Sequence, residues 1–318
     1  MTLTTESGDL SGQHRRYIRL VSWVAALGGL LCEKAGVLNL ALEGMMLFGA
    51  FFGVMGSYYT NNAYVGALVA MVTGAVLGMI YTLFVEHWKA DAMITSIGMN
   101  SLAVGMTSFL KRSIFGDSGI IMGIAGIPKH NSSFLSSIPV IGKILDGQTT
   151  LVYVGLILVI VLHFFLFRTH AGINLRAVGE RPLAAASAGI SVAKYRFLAL
   201  TVGGALCGLA GAHLSLGYVT MFSENMTAGR GFFAYTCVAF GQANPLLVML
   251  ASFIFGLAEN LSYLLQSTAI PSQIILMAPY VCTILALIFR NFNLKKSLSA
   301  ASGKRLAKPA KSGAAETK

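Results

Sequence analysis

The sequence predicts an all-α polytopic membrane protein with about eight transmembrane helices, in a range of roughly seven to ten, some of them broken or re-entrant. Three observations predict it. Hydrophobic residues make up 55% of the 318 and charged residues only 11%, against roughly a quarter charged in a soluble domain; the mean hydropathy is +0.72. Apolar runs of the ~20 residues that a bilayer requires recur along the chain. The formal charge of +11, finally, is confined to two places. Arg168–Arg196 holds Arg168, Arg176, Arg181, Lys194 and Arg196 against Glu180, and Arg290–Lys318 holds eight Lys and Arg residues against Glu316. These two stretches account for the whole excess, so the basicity reports topology and gives no reason to expect a nucleic-acid partner.

In chain order, residues 1–16 form a polar N-terminal tail, 17–293 a single transmembrane domain, and 294–318 a basic tail expected to be disordered and cytoplasmic. Tyr17–Leu31 is apolar but short. Glu33-Lys34 interrupts it before Val37–Tyr58 resumes, which is the pattern of a broken or re-entrant helix. Spans follow at Ala63–Leu83 and Ala90–Leu110, joined by the short polar turn Glu86–Asp91. The longest loop, 111–149, scatters Gly, Pro and Ser around a small apolar piece, Ile138–Ile144. Leu151–Phe167 leads into the basic loop 168–196, and Phe197–Leu216 leaves it toward a polar link at 217–230. Gly231–Phe240 is too short to cross, whereas Leu246–Leu265 and Ile274–Phe289 are long enough. Short loops rich in Arg and Lys stay on the cytoplasmic side. With 168–196 placed there, parity puts 111–149 outside, and Gln242–Pro245 and the basic C-terminus inside; the N-terminus is expected to be cytoplasmic as well. Lys111 and Arg112 run against that rule.

Inside the basic loop, Gly179-Glu180-Arg181-Pro182 runs into Leu183-Ala184-Ala185-Ala186-Ser187-Ala188 and stops at Gly189. Proline at the first helical position, alanines and a terminal glycine predict a short helix. A helix of about two turns is not stable alone in water, so it must lie on lipid or on a cytoplasmic partner. An internal echo is also visible. Gly28–Gly36 aligns with Gly203–Gly211 at six of nine positions, as expected either of a transporter built from repeats or of two small-residue helix interfaces alike in composition.

No cluster looks catalytic. The chain holds no Walker A, H-E-x-x-H or G-x-S-x-G pattern, so any use of ATP belongs to another chain and no enzymatic activity, cofactor or metal is expected. The four cysteines (Cys32, Cys207, Cys237, Cys282) lie in apolar segments without a C-x-x-C pair and read as free buried thiols. His14-Arg15-Arg16 precedes an apolar run, but no small-residue cleavage site follows, so that segment is expected to be retained. The notable groups are polar residues in apolar surroundings: Glu33, Lys34, Asn39, Glu43, Asn100, Glu259 and Asn260. Ionisable groups at membrane depth face a partner or a wet cavity. Asn39 and Glu43, four apart, would share a helical face. With Asn100, Glu259 and Asn260 they are candidates for the translocation pathway, the alternative being structural hydrogen bonds between helices. Thr227, Gly229 and Arg230, at the start of an apolar segment, are candidates for a gate or docking surface, the alternative being a tight turn with a snorkelling arginine.

Glu33-Lys34-Ala35-Gly36-Val37-Leu38-Asn39-Leu40-Ala41-Leu42-Glu43-Gly44-Met45-Met46-Leu47 resembles the E-R/K-A-G-V-x-N-x-x-x-E-G-M-M-L signature of ABC importer permeases of the nucleoside and simple-sugar group, within the branched-chain-type permease family. Leu175–Ala185 is similar to that family's cytoplasmic coupling loop, Met226–Gly231 to its M-T-A-G-R-G motif, and Gly241–Pro245 to its G-x-x-N-P turn. The resemblance runs in order over roughly residues 20–290. Ala41 departs from a frequent Gly, and Arg181 from a frequent Asn. The resemblance implies a type II importer-like permease of the bacterial inner membrane. It would work with ATP-binding subunits, a second homologous permease and an extracellular substrate-binding protein, often a lipoprotein. It implies coupling to the ATPase through Arg176, Gly179, Glu180, Arg181, Pro182, Ala184, Ala185 and Gly189. Nucleosides or related nucleobase compounds are the expected substrates, with simple sugars as the alternative. An ion-coupled secondary transporter would instead need acidic residues at the midplane and no ATPase.

Overall fold

The computed structural model describes residues 21–116, 120–121, 124–128 and 148–265. The N-terminal tail, Ile138–Ile144, Ile274–Phe289 and the basic C-terminal tail lie outside the described residues. The compact unit ends at Asn260; beyond it only a helical turn through Leu265 is described.

Helix α1 (Val21–Lys34) stops at the charged pair Glu33-Lys34, and α2 (Leu42–Thr60) starts only eight residues after Lys34, so the expected break is present. A left-handed Asn61 ends α2. The Asn62 side chain then caps α3 (Ala63–Thr82) by accepting from the Tyr64 N–H at 2.9 Å. Helix α3 runs on through a π-helical turn, Leu83–His87. Asp91 then caps α4 (Ala92–Phe115), its Oδ1 accepting from the N–H groups of Met93 and Ile94, each at 2.9 Å. Helix α5 (Thr150–Arg168) ends at Thr169, whose hydroxyl opens α6 (His170–Glu180) by accepting from Gly172 N–H. The short helix α7 (Pro182–Ser187) follows, with Pro182 in its first turn. Helix α8 (Val192–Ala212) is prolonged by a π-helical stretch, His213–Val219. Helices α9 (Arg230–Phe240) and α10 (Pro245–Leu265) complete the described chain. Among the described residues four helices are long and apolar enough to cross a bilayer: Ala63–His87, Ala92–Phe115, Thr150–Arg168 and Val192–Val219. The 11-residue α9 is too short, as the sequence predicts.

Helix α8 is the axis of the bundle, packed against α1, α2 and α3. In lipid there is little hydrophobic gain between helices, so they associate through close backbone contact at small residues. A Cβ on Gly208 would meet the backbone of α3 at Ala70 and Gly74, and Gly49 of α2 approaches the same residue from the other side. The two echoed stretches face each other. A Cβ on Gly28 would lie 2.5 Å from the Gly203 carbonyl and 2.9 Å from Cys207 Sγ; one on Gly203 would lie 2.7 Å from the Gly28 carbonyl and 2.9 Å from Cys32 Sγ. Each stretch thus offers the other the same glycine and the same cysteine, related by a local twofold axis that sets α1 antiparallel to α8.

Two contacts fix which loops share a face. Ile120–Ile121 (β1) pairs with Phe222–Ser223 (β2) in a two-residue antiparallel ladder. Beside it Lys111 Nζ lies 2.7 Å, and Arg112 Nε 3.5 Å, from Glu224 Oε1. The two cations that ran against the charge rule therefore share one carboxylate of the link 217–230, on their own side. On the opposite side, Arg196 at the start of α8 meets Glu86 in the α3–α4 turn at 2.7 Å.

Candidate functional site

The segment between α1 and α2 is irregular backbone inside a membrane domain, and every polar group there needs a protein partner. The partners come from helices distant in sequence. Tyr81 of α3 donates its hydroxyl to the Leu38 carbonyl at 2.7 Å. Ser96 Oγ accepts from Leu40 N–H at 3.1 Å. Asn100 spans the start of α2: its Oδ1 accepts from Gly44 N–H at 2.8 Å and its Nδ2 donates to the Leu40 carbonyl at 3.0 Å. Asn39 does not lie on a helix, so it shares no face with Glu43; its Oδ1 accepts from Ala41 N–H at 2.9 Å and forms the turn that starts α2. The reason is local: an Asn side chain competes with the helix for nearby backbone donors.

Glu43 lies in the first turn of α2 and is 6% exposed. Its Oε1 accepts from Gly229 N–H at 2.8 Å and its Oε2 from Gly231 N–H at 2.6 Å. These donors open α9, so the carboxylate sits at the positive end of that helix, where anions are favoured. Neither Lys34 nor Arg230 supplies the contact. The Arg230 guanidinium instead turns back on its own loop, donating to the carbonyls of Met226 (3.1 Å) and Thr227 (3.3 Å). Gly229 has φ +85°, and a Cβ on Gly231 would overlap the Glu43 backbone, so both glycines are needed for this approach. Thr227 is fully buried beside them.

The basic loop presents a helix pair. Helix α6 lies between α5 and α7, and its Arg176 stacks over the Phe167 ring with Cζ 4.9 Å from the centroid. Gly189, at φ +80°, ends the turn after α7 as predicted. Of α7 only Ala185 is buried; Arg181, Leu183, Ala184 and Ser187 face outward, and Leu183 is 84% exposed. Leu183 is the most exposed large apolar side chain among the described residues. Glu180 is exposed as well, while Gly179 turns inward against the break. Gly36 has φ +73°, and a Cβ there would lie 2.9 Å from both Cα and O of Gly179; a Cβ on Gly179 would overlap the Lys34 carbonyl. Arg196 closes the joint, its Nε donating to the Ala35 carbonyl at 3.2 Å while Nη1 holds Glu86.

The structure thus brings Asn39, Glu43, Asn100, Gly229 and Arg230 into one constellation around the start of α2, and joins Gly179 to its lower edge. Glu259 and Asn260 lie on α10. Sequence reasoning missed Tyr81, Ser96 and the Glu86–Arg196 pair. Tyr81 and Ser96 are ordinary residues in apolar helices and carried no signal. Counting spans from the 168–196 loop back to the Glu86–Asp91 turn would have put Arg196 and Glu86 on one face, the signal that could have paired them.

Broken helices packed through glycine, joined to a short helix pair, form the fold of a polytopic membrane permease. A solved inward-facing ABC transporter described as of the metal-chelate type shares the fold, with TM-score 0.50 and 14% identity over 86% of this chain and 84% of that one. The chain belongs to the family described as branched-chain amino acid transport system / permease component, whose match spans residues 20–287. Among its relatives, the guanosine ABC transporter permease protein NupQ of Bacillus subtilis is 34% identical over 83% of this chain and 86% of NupQ. The nucleoside ABC transporter permease protein NupC of Lactococcus lactis subsp. cremoris is 33% identical over 82% of this chain and 86% of NupC. TsgC13 of Haloferax volcanii, provisionally named a glucose ABC transporter permease protein, is 35% identical over 78% of this chain and 75% of TsgC13. The chain is therefore a multi-pass transport component of an ABC system and not an enzyme, and it works with ATP-binding and substrate-binding partners.

Proposed function

We propose that the chain imports nucleosides or related nucleobase compounds across the bacterial inner membrane by alternating access, paired with a second homologous permease. In this reading it is one transmembrane domain over 17–293, with the C-terminal tail cytoplasmic, and an extracellular substrate-binding lipoprotein docks on the opposite face. The observation that carries the mechanism is the continuous backbone path from α7 to Glu43. An ATP-binding subunit engages Arg181, Leu183, Ala184 and Ser187, with Arg176, Glu180, Pro182 and Gly189 shaping that surface and Ala185 anchoring it. Its closure moves α6, and Gly179 transmits the shift to Gly36 by direct contact. The Ala35–Ala41 segment then carries it to Glu43 and through Gly229 and Gly231 to α9. Asn39, Glu43 and Asn100 hold this frame beside the pathway, Thr227, Gly229 and Arg230 form the gate that moves with it, and Glu259 and Asn260 line the route on α10. Two states differing in these contacts are what a ligand or partner can bias.

The extended alignment with NupQ and NupC supports nucleosides; the similarity to TsgC13 supports a sugar as the second reading. Uptake of radiolabelled guanosine, uridine, adenine and glucose by the reconstituted assembly decides between them. Nucleoside uptake competed by other nucleosides and not by glucose is expected; uptake of glucose alone overturns the assignment. For coupling, Leu183→Asp should insert normally and lose the ATP-binding subunit in a detergent pull-down. Unchanged capture and uptake would show that α7 is not the docking element.

A further inference from the structure

At the cytoplasmic end of α3 and the start of α8 a cleft of about 580 Å³ opens, lined by Met79, Ile80, Leu83, Ala193, Lys194 and Phe197, with Glu86 and His87 at its polar end. It is separate from the Glu43 constellation and from the exposed face of α7. Its walls are apolar, and Ile80, Leu83 and Phe197 remain substantially exposed, as lipid-facing side chains would be. Its rim is basic. Glu86 is already engaged by Arg196 at 2.7 Å and by Lys89 at 3.7 Å. Lys194 has no ion-pair partner among the described residues. Phe84 and Trp88 pack edge to face beside the rim, with centroids 4.7 Å apart and both exposed, and tryptophan concentrates where a membrane meets water.

We propose that this cleft binds an anionic glycerophospholipid. One acyl chain lies along Ile80, Leu83 and Phe197, and the headgroup phosphate sits between Lys194 and Lys89. Charge complementarity selects the occupant: apolar walls under a surplus of cations suit an acyl chain joined to a negative headgroup, and basic clefts between helices on the cytoplasmic side hold such headgroups. The site has a functional reach, because its wall carries Glu86, whose partner Arg196 also holds the Ala35 carbonyl. A lipid seated there braces the approach of α3 to α8 next to the Gly36–Gly179 joint. The lipid site depends on the membrane topology and not on the substrate or on α7 docking, so it stands or falls separately from them.

The test uses the assembled transporter, delipidated and returned to nanodiscs or mixed micelles with phosphatidylglycerol or phosphatidylcholine. Native mass spectrometry counts retained lipid, and thermal unfolding reads the stabilisation. Phosphatidylglycerol should be retained at least tenfold better and should raise Tm, whereas phosphatidylcholine should not. Lys194→Gln and Lys89→Gln should each weaken retention roughly fivefold, as expected for one basic side chain at an anionic surface. Ala193→Trp, which fills the cleft from an exposed position, should abolish retention without lowering the Tm of the lipid-free protein. Equal retention of the two lipids, or retention unmoved by all three variants, overturns the proposal. So does efficient cross-linking of Ala193→Cys to a second permease or an ATP-binding subunit, because the cleft would then be a protein interface.

Discussion

Gly36 and Gly179 meet backbone to backbone: a Cβ on Gly36 would stand 2.9 Å from the Gly179 Cα, although the two are 143 positions apart in the chain. One residue follows α1 and the other lies in the last turn of α6, so the break between α1 and α2 and the α6–α7 helix pair share a joint with no side chain in it. A joint of this kind transmits displacement with little slack, because close-packed backbone cannot be compressed.

Gly36→Ala should therefore be costly twice over, through the left-handed φ of +73° and through overlap with Gly179. The strain alone is worth about 1–2 kcal/mol. Gly179→Ala has no positive φ but would collide with the Lys34 carbonyl. Both variants should lower Tm and uptake, and Gly36→Ala should retain the ATP-binding subunit in a pull-down because α7 is untouched. Wild-type uptake by both would show that the joint is dispensable.

Glu43→Gln removes one of two acceptors from a carboxylate that binds two N–H groups. The amide NH2 must then face either Gly229 or Gly231, leaving a buried donor unpaired at a cost of about 1–3 kcal/mol. Thermal stability and uptake should fall together. A variant with normal Tm and lost uptake would place the negative charge itself in the transport mechanism.

The Glu86–Arg196 pair is partly buried, with side chains 13% and 19% exposed, and Arg196 also donates to Ala35. Arg196→Lys keeps the charge but loses the forked geometry that serves both acceptors. A double-mutant cycle of Arg196→Lys with Glu86→Gln should show a coupling of about 0.5–3 kcal/mol in thermal unfolding. Strict additivity would mean that the two residues act independently.

The hydrogen bond from Lys111 holds the Glu224 carboxyl below its ordinary value, with the charges of Lys111 and Arg112 adding to it and partial burial opposing. A carboxyl lowered on folding stabilises above its unfolded pKa, about 4.3, and loses that contribution as pH falls through the lower folded value. Unfolding monitored from pH 7 down to pH 3 should therefore show an acid-induced loss that Glu224→Gln lacks. Parallel pH profiles in the two proteins would remove this pair from the stability of the face it bridges.

Topology is open to an impermeant thiol reagent on a cysteine-free background. Ser187→Cys and Ser302→Cys should label only from the cytoplasm, and Ser132→Cys from outside. Labelling of Ser187→Cys in intact cells would invert the orientation.

The sequence by itself determined what is local or compositional. Apolar runs gave α3, α4, α5 and α8, because the length of a span answers to the thickness of the bilayer. Pro182 and Gly189 bounded the short helix, because proline and glycine act on their own backbone. Glu33-Lys34 marked the break, because the apolar run stops there in the sequence itself. Tertiary structure alone decided what each polar group does. Glu43 took its donors from residues 186 and 188 positions away. Tyr81, Ser96 and Asn100 became partners of broken backbone only when α3 and α4 were laid beside it. In a membrane such partners must come from protein, and which helix supplies them is set by the packing of glycine against glycine, a match of surfaces that periodicity along one chain does not encode.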